Sequence, residues 1–177
     1  VSTPGGCSIG VRPIDIHLEG LKKLGANFSV ENGYVIGHVE NSLIGNHIPL
    51  SFPSVGATEN IMMASIMAKG KTIIENAAME PEITDLADCL NKMGAKIKIL
   101  NNGIIQIDGV SRLVKANYKI MSDRIVAGTF ILAAVMTNNE FIINKIDPSS
   151  LSSLIETLNT MNAKLKINQD SIKVLRS

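Results

Sequence analysis

The feature of this sequence that most constrains its fold is an internal repeat. Residues 21–26 (LKKLGA) recur as 90–95 (LNKMGA) and again as 158–163 (LNTMNA), at spacings of 69 and 68 residues. A second marker, 72–76 (TIIEN), recurs as 141–144 (FIIN) at the same spacing of 69. Two independent markers with one period predict a chain built from repeated supersecondary units.

Each period reads as a helix, two or three short strands, a second helix and a strand. In the first helix type, the apolar residues follow the i, i+3, i+4, i+7 rule of one buried stripe: Ile83, Leu86, Ala87, Leu90 and Met93. Pro81 suits the first turn and Gly94 the end of this helix. In the third copy Asn162 stands where Gly25 and Gly94 stand in the others, and it tolerates the same left-handed cap conformation.

The second helix type, 60–68 and 126–136, is apolar nearly all round, which predicts inner helices covered by sheet on every side. Short β-branched segments next to Asn-Gly pairs, at 33–39 and 104–107, predict strands. Together these patterns predict an α+β (α/β) fold in which inner apolar helices lie under sheets, in two to three repeats.

Composition and charge exclude several classes of function. Of 177 residues, 17 are Lys or Arg and 16 are Asp or Glu, so no net field draws the chain to nucleic acid or to an anionic membrane. The longest apolar stretch, 125–136, is shorter than the roughly 20 residues of a membrane span. With no secretory signal pattern, we expect a soluble, cytoplasmic chain that begins inside a longer polypeptide.

Cysteine and histidine spacing argues against metal and disulfide chemistry. The two cysteines do not make a disulfide framework or a zinc cluster. The three histidines, His17, His38 and His47, share no ligand spacing, so we predict no metal site. No Walker loop or G-x-G-x-x-G motif supports nucleotide hydrolysis or dinucleotide binding.

The loop 4–13 (PGGCSIGVRP) is the segment best suited to chemistry. Three glycines in six residues let the backbone approach a ligand closely. Arg12 near Cys7 favours the thiolate, although an incidental loop cysteine is equally consistent with the residues alone. Cys89, inside the helix around 83–93, has the setting of a small core residue.

A second candidate is 54–60 (SVGATEN), which leads into an apolar helix. Free backbone N–H groups at a helix N-terminus can hold an anion, although a plain N-cap is the commoner explanation for such residues. Asp123 and Arg124 occupy the equivalent place in the next repeat, where an acid near a helix start is favourable in its own right.

Four motifs in order resemble the UDP-N-acetylglucosamine 1-carboxyvinyltransferase family of enolpyruvyl transferases: 4–17 (PGGCSIGVRPIDIH), 54–58 (SVGAT), 76–83 (NAAMEPEI) and 123–129 (DRIVAGT). The resemblance covers essentially the whole chain. It implies an inside-out α/β barrel of repeated βαβαββ units, in agreement with the period of about 69 residues. It further implies that 1–121 belong to the domain carrying the cysteine loop and that 122–177 begin the second domain.

The family transfers the enolpyruvyl group of phosphoenolpyruvate to the 3'-hydroxyl of UDP-N-acetylglucosamine and releases phosphate, which starts peptidoglycan synthesis. The resemblance implies no cofactor, and two small-molecule substrates rather than nucleic acid or membrane. Cys7 resembles the general acid toward C3 of phosphoenolpyruvate, the thiol that the antibiotic fosfomycin alkylates. Arg12 resembles the arginine that meets the anionic groups of phosphoenolpyruvate.

Two segments are implied to border the nucleotide sugar: Arg12, Pro13, Ile14, Asp15 and Ile16, and then Phe52, Pro53, Ser54, Val55 and Gly56. Phe52 departs from the family, which commonly has lysine there in contact with the diphosphate.

In the family, a Lys-Asn pair would precede Val1, and a catalytic aspartate and a late arginine would follow Ser177. We therefore expect a central fragment with little or no activity alone, because several positioned groups supply most of the rate. Two alternatives stay open. One is the sister transferase acting on shikimate 3-phosphate, against which Cys7 and Arg12–Pro13 argue. The other is a non-catalytic repeat module that binds through concave sheet faces.

Overall fold

The computed structural model describes residues 1–3 and 13–176, so Cys7, Arg12 and most of the glycine loop lie outside the described residues. The chain divides into two compact units, Val1–Lys119 and Ile120–Ser177. No helix in the described part is long and apolar enough to cross a membrane. Among the same residues, no group of three His, Cys, Asp or Glu side chains is placed to hold a metal ion.

The described residues of the first unit form three helices and six strands. In chain order they are α1 (Asp15–Lys23), β1 (Asn27–Glu31), β2 (Tyr34–His38), β3 (His47–Pro49), α2 (Val55–Ile66), β4 (Lys71–Glu75), α3 (Pro81–Lys92), β5 (Lys96–Leu100) and β6 (Ile104–Asp108). β1 and β2 form an antiparallel hairpin. The other four strands form a sheet in the order β3-β4-β6-β5, in which only β3 and β4 are parallel. Helix α2 is the crossover between those two parallel strands.

The core of the first unit lies between its helices and the four-stranded sheet. α2 contributes the fully buried Ile61 and Met62, and the sheet contributes Ile74, Ile105 and Ile107. In α3 the predicted apolar stripe is confirmed, with Ile83, Ala87 and Leu90 buried and Leu86 and Met93 packed against the same cluster. Pro81 is the first residue of α3, as predicted.

The second unit contains α4 (Arg124–Met136), β7 (Phe141–Asn144), a 3₁₀ helix (Pro148–Leu151), α5 (Ser152–Thr160), β8 (Leu165–Ile167) and β9 (Ser171–Val174). Its strands form an antiparallel sheet in the order β7-β9-β8. Ile131 of α4, Leu158 of α5 and Ile172 of β9 are fully or almost fully buried in its core.

The predicted helix ends are confirmed. Gly25 and Gly94 have φ angles of +98° and +99°, and Asn162 has a φ of +61°. Asparagine tolerates this left-handed conformation better than other side chains do, which explains why it can replace glycine after α5. The predicted strands at 33–39 and 104–107 are confirmed as β2 and β6, and the helix predicted from 60 begins five residues earlier, at Val55.

Within the described residues, α4 departs from the prediction that both apolar helices are covered on every side, because only one of its faces is covered. Its buried residues are Ala127, Gly128, Ile131 and Ala134, whereas Ile125, Val126, Phe130, Leu132 and Met136 are exposed. The reason is geometric, because one three-stranded sheet and two short helices cover a single face of a 13-residue helix. α2 meets the prediction more closely, since α1, α3 and the sheet pack around it.

Candidate functional site

Helices α1 and α2 bring the two predicted nucleotide-sugar segments to one place. His17 in the first turn of α1 lies beside Gly56 and Asn60 of α2, and Gly20, one turn further on, packs against Ile61. The two helices therefore lie side by side with their N-terminal ends together. Of the predicted site residues, Pro13–Ile16 enter and begin α1, and Phe52–Gly56 enter and begin α2.

The start of α2 offers backbone donors to an anion. Ser54 is the N-cap, and its Oγ accepts a hydrogen bond from the Ala57 N–H at 3.3 Å. Thr58 N–H donates to the carbonyl of Ser54 at 2.9 Å. The N–H groups of Val55 and Gly56 have no acceptor in the described part of the chain. Ser54 therefore acts as an N-cap, which is the commoner role of such a residue. The N–H groups of Val55 and Gly56, at the positive end of the helix dipole, are available to an acceptor from outside the described residues.

Thr58, in contrast, serves the core. Its side chain is fully buried, and its Oγ1 accepts a hydrogen bond from the backbone N–H of Ala78 at 3.0 Å. This bond ties α2 to the loop after β4. The same loop is held by Asn76, whose Nδ2 donates to the carbonyl of Leu50 at 2.9 Å. The Thr58 hydroxyl therefore stabilises the packing of α2 against the loop after β4.

His17, which the sequence analysis considered only as a possible metal ligand, lies beside the start of α2. Its Nδ1 lies 2.8 Å from Nδ2 of Asn60. A Cβ placed on Gly56 would lie 3.2 Å from Cε1 of His17 and 3.7 Å from Nε2. The sequence does hold a signal for this arrangement, since Gly56 and Asn60 are four residues apart and so share one face of α2.

The described part of the site has few positive side chains. No Lys or Arg occurs in 13–21 or in 47–68, and Asp15 and Glu19 on α1 are acidic. Phe52 is 62% exposed just before α2. Within these two segments, an anion would be attracted by the N-terminus of α2 and by His17. The other histidine, His47, already has a partner, since its Nε2 lies 2.9 Å from Oε1 of Glu75.

The start of α4 in the second unit is built in the same way. Asp123 is its N-cap, and Oδ1 accepts a hydrogen bond from the Val126 N–H at 2.9 Å. An acidic cap satisfies a helix N-terminus with a negative charge. This confirms the favourable helix-start role for Asp123. It also makes the N-terminus of α4 a poorer place for an anion than the serine-capped N-terminus of α2.

Comparison with known proteins places these features in a family context. A family model described as EPSP synthase (3-phosphoshikimate 1-carboxyvinyltransferase) matches residues 1–177. Relatives named UDP-N-acetylglucosamine 1-carboxyvinyltransferase, from Shewanella baltica OS155 and Shewanella sp. ANA-3, are each 47% identical over 98% of this chain. The chain spans 42% of the length of those relatives.

Solved structures show the same fold. The enolpyruvyl transferase NikO from Streptomyces tendae matches 93% of this chain with a TM-score of 0.81 and 18% identity, over 42% of its own length. EPSP synthase from Acinetobacter baumannii matches 93% with a TM-score of 0.70 and 22% identity, over 40% of its length. The predicted mixed α/β fold is therefore confirmed as one that enolpyruvyl transferases share.

Proposed function

This chain belongs to the EPSP synthase (3-phosphoshikimate 1-carboxyvinyltransferase) family, and we propose that it forms part of an enzyme that transfers the enolpyruvyl group of phosphoenolpyruvate to the 3'-hydroxyl of UDP-N-acetylglucosamine. The observation that carries this choice of substrate is the 47% identity, over nearly the whole chain, to relatives named for that reaction. The EPSP synthase structure from Acinetobacter baumannii shares only 22%.

The proposed reaction is an addition followed by an elimination. The sugar 3'-hydroxyl gives its proton to a base and its oxygen bonds to C2 of phosphoenolpyruvate, while a proton is delivered to C3 and the C2–C3 double bond becomes a single bond. Loss of phosphate from C2 and of a proton from C3 then restores the double bond. We assign the proton delivery to Cys7 as general acid, and the binding of the phosphoenolpyruvate anion to Arg12. Both residues lie outside the described part, and the assignment rests on the 4–17 motif.

We assign the binding of the nucleotide sugar to the paired starts of α1 and α2. Pro13, Ile14, Asp15 and Ile16 would border the nucleotide sugar. The open N–H groups of Val55 and Gly56, with Ser54 as cap and Phe52 and Pro53 beside it, would face the diphosphate. Helix N-termini stabilise such anions through their free donors and their dipole.

We also propose the finer architecture that the resemblance implies, namely an inside-out barrel of units about 69 residues long. The orders α1-β1-β2, α3-β5-β6 and α5-β8-β9 support it, because each helix leads into an antiparallel pair. In this proposal 1–121 belong to one family domain and 122–177 to the next. Catalysis would then need the remainder of a longer polypeptide, since the chain spans 42% of its relatives.

A ligand-binding experiment discriminates between the candidate functions. We would titrate ¹⁵N-labelled chain with UDP-N-acetylglucosamine and, separately, with shikimate 3-phosphate, the substrate of the sister enzyme. The proposal expects saturable amide shifts at Val55 and Gly56 with the nucleotide sugar only. The amides at the start of α4, around Asp123, are the internal control and should not shift.

Three outcomes would overturn the proposal. Shifts at α2 with shikimate 3-phosphate and none with the nucleotide sugar would favour the sister enzyme. No shifts with either ligand, in a chain whose spectrum is that of a folded protein, would favour a non-catalytic repeat module. Equal shifts at both helix starts would indicate unspecific anion binding.

A further inference from the structure

We propose that the exposed side of α4, with the adjoining part of β7, is a self-association surface that packs on the same surface of a second copy of this chain. None of the residues assigned to the substrates belongs to it, so it is independent of the proposed function. We call it the α4 surface, and its large apolar side chains are Ile125, Val126, Phe130, Leu132, Met136 and Phe141.

The exposed side of α4 has the composition of a buried one. Of the 13 residues of α4, seven are exposed, and none of the seven is charged. A helix that faces water normally carries charged and polar side chains on its outer side. Helix α1 shows that pattern, because its exposed residues are Asp15, Glu19, Lys22 and Lys23. The outer side of α4 is therefore suited to contact with protein and not with water.

The middle of this side is shaped to receive another helix. Thr129 and Ala133 are exposed one turn apart, and their small side chains lie between the larger Val126, Leu132 and Met136. Two helices approach most closely where the side chains at the contact are small. The Thr129 hydroxyl already donates to the carbonyl of Ile125 at 2.8 Å, so packing would bury no unsatisfied polar side chain here.

The β7 edge extends the surface. Phe130 stacks on Phe141 with ring centroids 5.9 Å apart, and the two rings line an apolar groove of about 430 Å³ between α4 and β7. In the first unit, β4 is the repeat counterpart of β7 and has β3 on one side and β6 on the other. Among the described residues β7 has β9 as its one neighbouring strand. This side of the second unit thus lacks the strand that covers its counterpart.

The area of the surface is sufficient for a pair of chains. The exposed parts of its six large side chains amount to about 600 Å², which is the upper end for an apolar patch on a monomer. Two such surfaces would bury about 1,200 Å², the lower end for a specific interface. We therefore expect a dimer that dissociates at micromolar concentrations.

The charge at the start of α4 also fits a second copy. Arg124 is the one charged residue of α4 and is its first residue. A twofold axis through the middle of the surface makes the two α4 helices antiparallel. Arg124 of each copy then lies near the C-terminus of the other α4, where a positive charge is favourable.

The test measures mass and surface protection together. Sedimentation equilibrium over about 1–100 μM should show the mass of two chains at the upper end. Leu132→Lys, at a 42% exposed position, should weaken association more than tenfold, because the dimer would bury an unpaired charge. The matched control is Leu100→Lys, at a 44% exposed position on β5, which should leave association unchanged.

Methionine oxidation by dilute hydrogen peroxide locates the contact in the unaltered chain, so the result does not depend on whether a variant folds. Met136 and Met161 both lie in the second unit and are 84% and 68% exposed. At the concentration that gives the two-chain mass, Met136 should oxidise several-fold more slowly than in dilute solution, because the partner covers its sulfur. Met161, outside the α4 surface, should oxidise at one rate throughout.

Four outcomes would overturn the proposal. A single-chain mass at every concentration, with Met136 reactive, would leave the surface to another occupant, such as a further part of a longer polypeptide. A two-chain mass with Met136 unprotected would place the contact elsewhere. Equal weakening by Leu132→Lys and Leu100→Lys would indicate unspecific apolar association. Assemblies that grow beyond two chains would exclude a closed twofold contact.

Discussion

Gly20 of α1 lies so close to Ile61 of α2 that a Cβ at position 20 would be 2.7 Å from Cγ1 of Ile61, and closer still to Cδ1. Ile61 is fully buried and cannot move aside cheaply. The side-by-side packing of α1 and α2, which brings the two predicted nucleotide-sugar segments together, therefore depends on a residue without a side chain at this position.

We predict that Gly20→Ala destabilises the first unit. Overpacking costs about 1–3 kcal/mol, and the better helix propensity of alanine offsets about 1 kcal/mol of this. Denaturant unfolding of the first unit should thus show a net loss of unfolding free energy, and nucleotide-sugar binding should be weaker. Ile61→Val removes Cδ1, so the double variant should lose less stability than the two single variants combined. The close packing of Gly20 on Ile61 would be contradicted if Gly20→Ala is more stable than the unaltered chain. It would also be contradicted if the losses of unfolding free energy in the two single variants add up to that of the double variant. Lys22→Ala, at an exposed position on the same helix, is the control.

Loss of the cap of α2 should affect both stability and binding. Ser54→Ala removes the acceptor of the Ala57 N–H, and N-cap removal typically costs about 1 kcal/mol. Hydrogen exchange of the first-turn amides of α2 should accelerate, and binding of UDP-N-acetylglucosamine should weaken. Asp123→Ala removes the corresponding cap of α4 and should leave nucleotide-sugar binding unchanged. Equal effects of the two variants on binding would show that the start of α2 has no special role.

Restoring a cation at position 52 should strengthen nucleotide-sugar binding. Phe52 is 62% exposed, so a lysine can replace it without disturbing the core. We predict that Phe52→Lys binds UDP-N-acetylglucosamine several-fold more tightly at low salt, with the gain falling as ionic strength rises. Phe130→Lys, at a 54% exposed phenylalanine on α4, adds the same charge elsewhere and should not change affinity. A similar gain from both variants would mean that net charge alone is responsible.

Tyr118 gives the first unit a defined response to alkaline pH. Its hydroxyl donates to Oδ1 of Asp85 at 2.9 Å. Burial, followed by this bond and the carboxylate charge, raises the pKa of Tyr118 from 10.0 to about 12. Because the folded state holds the proton more tightly than the unfolded state, this stabilisation is complete below pH 10 and is lost between about pH 10 and 12.

The corresponding measurement is the difference in unfolding free energy between the unaltered chain and Tyr118→Phe as a function of pH. We expect that difference to be constant below pH 10 and to change as the pH rises to about 12. Tyr34→Phe, at a 55% exposed tyrosine on the β1–β2 hairpin, is the control variant. A pH-independent difference at Tyr118 would contradict the assigned hydrogen bond.

Local patterns predicted the helices and their ends well. The stripe of α3, the proline at its start and the left-handed Asn162 after α5 all follow from rules that act within a few residues. The exposed side of α4 did not follow from the sequence, because its composition is that of an inner helix and burial depends on what packs around it. The His17–Asn60 pair was missed for a similar reason, since 43 residues separate its members and only the packing of α1 on α2 brings them together.

The proposed function places the reactive cysteine and the nucleotide-sugar site of an enolpyruvyl transferase in this chain. The most direct measurement is peptide mapping by mass spectrometry after treatment with fosfomycin, with and without UDP-N-acetylglucosamine. Opening of the epoxide by the thiolate adds the whole molecule to sulfur, so one adduct per chain is expected. We predict an adduct on Cys7 that forms faster with the nucleotide sugar and is absent from Cys89. Equal labelling of both thiols, independent of the nucleotide sugar, or no labelling in a folded chain, would contradict it.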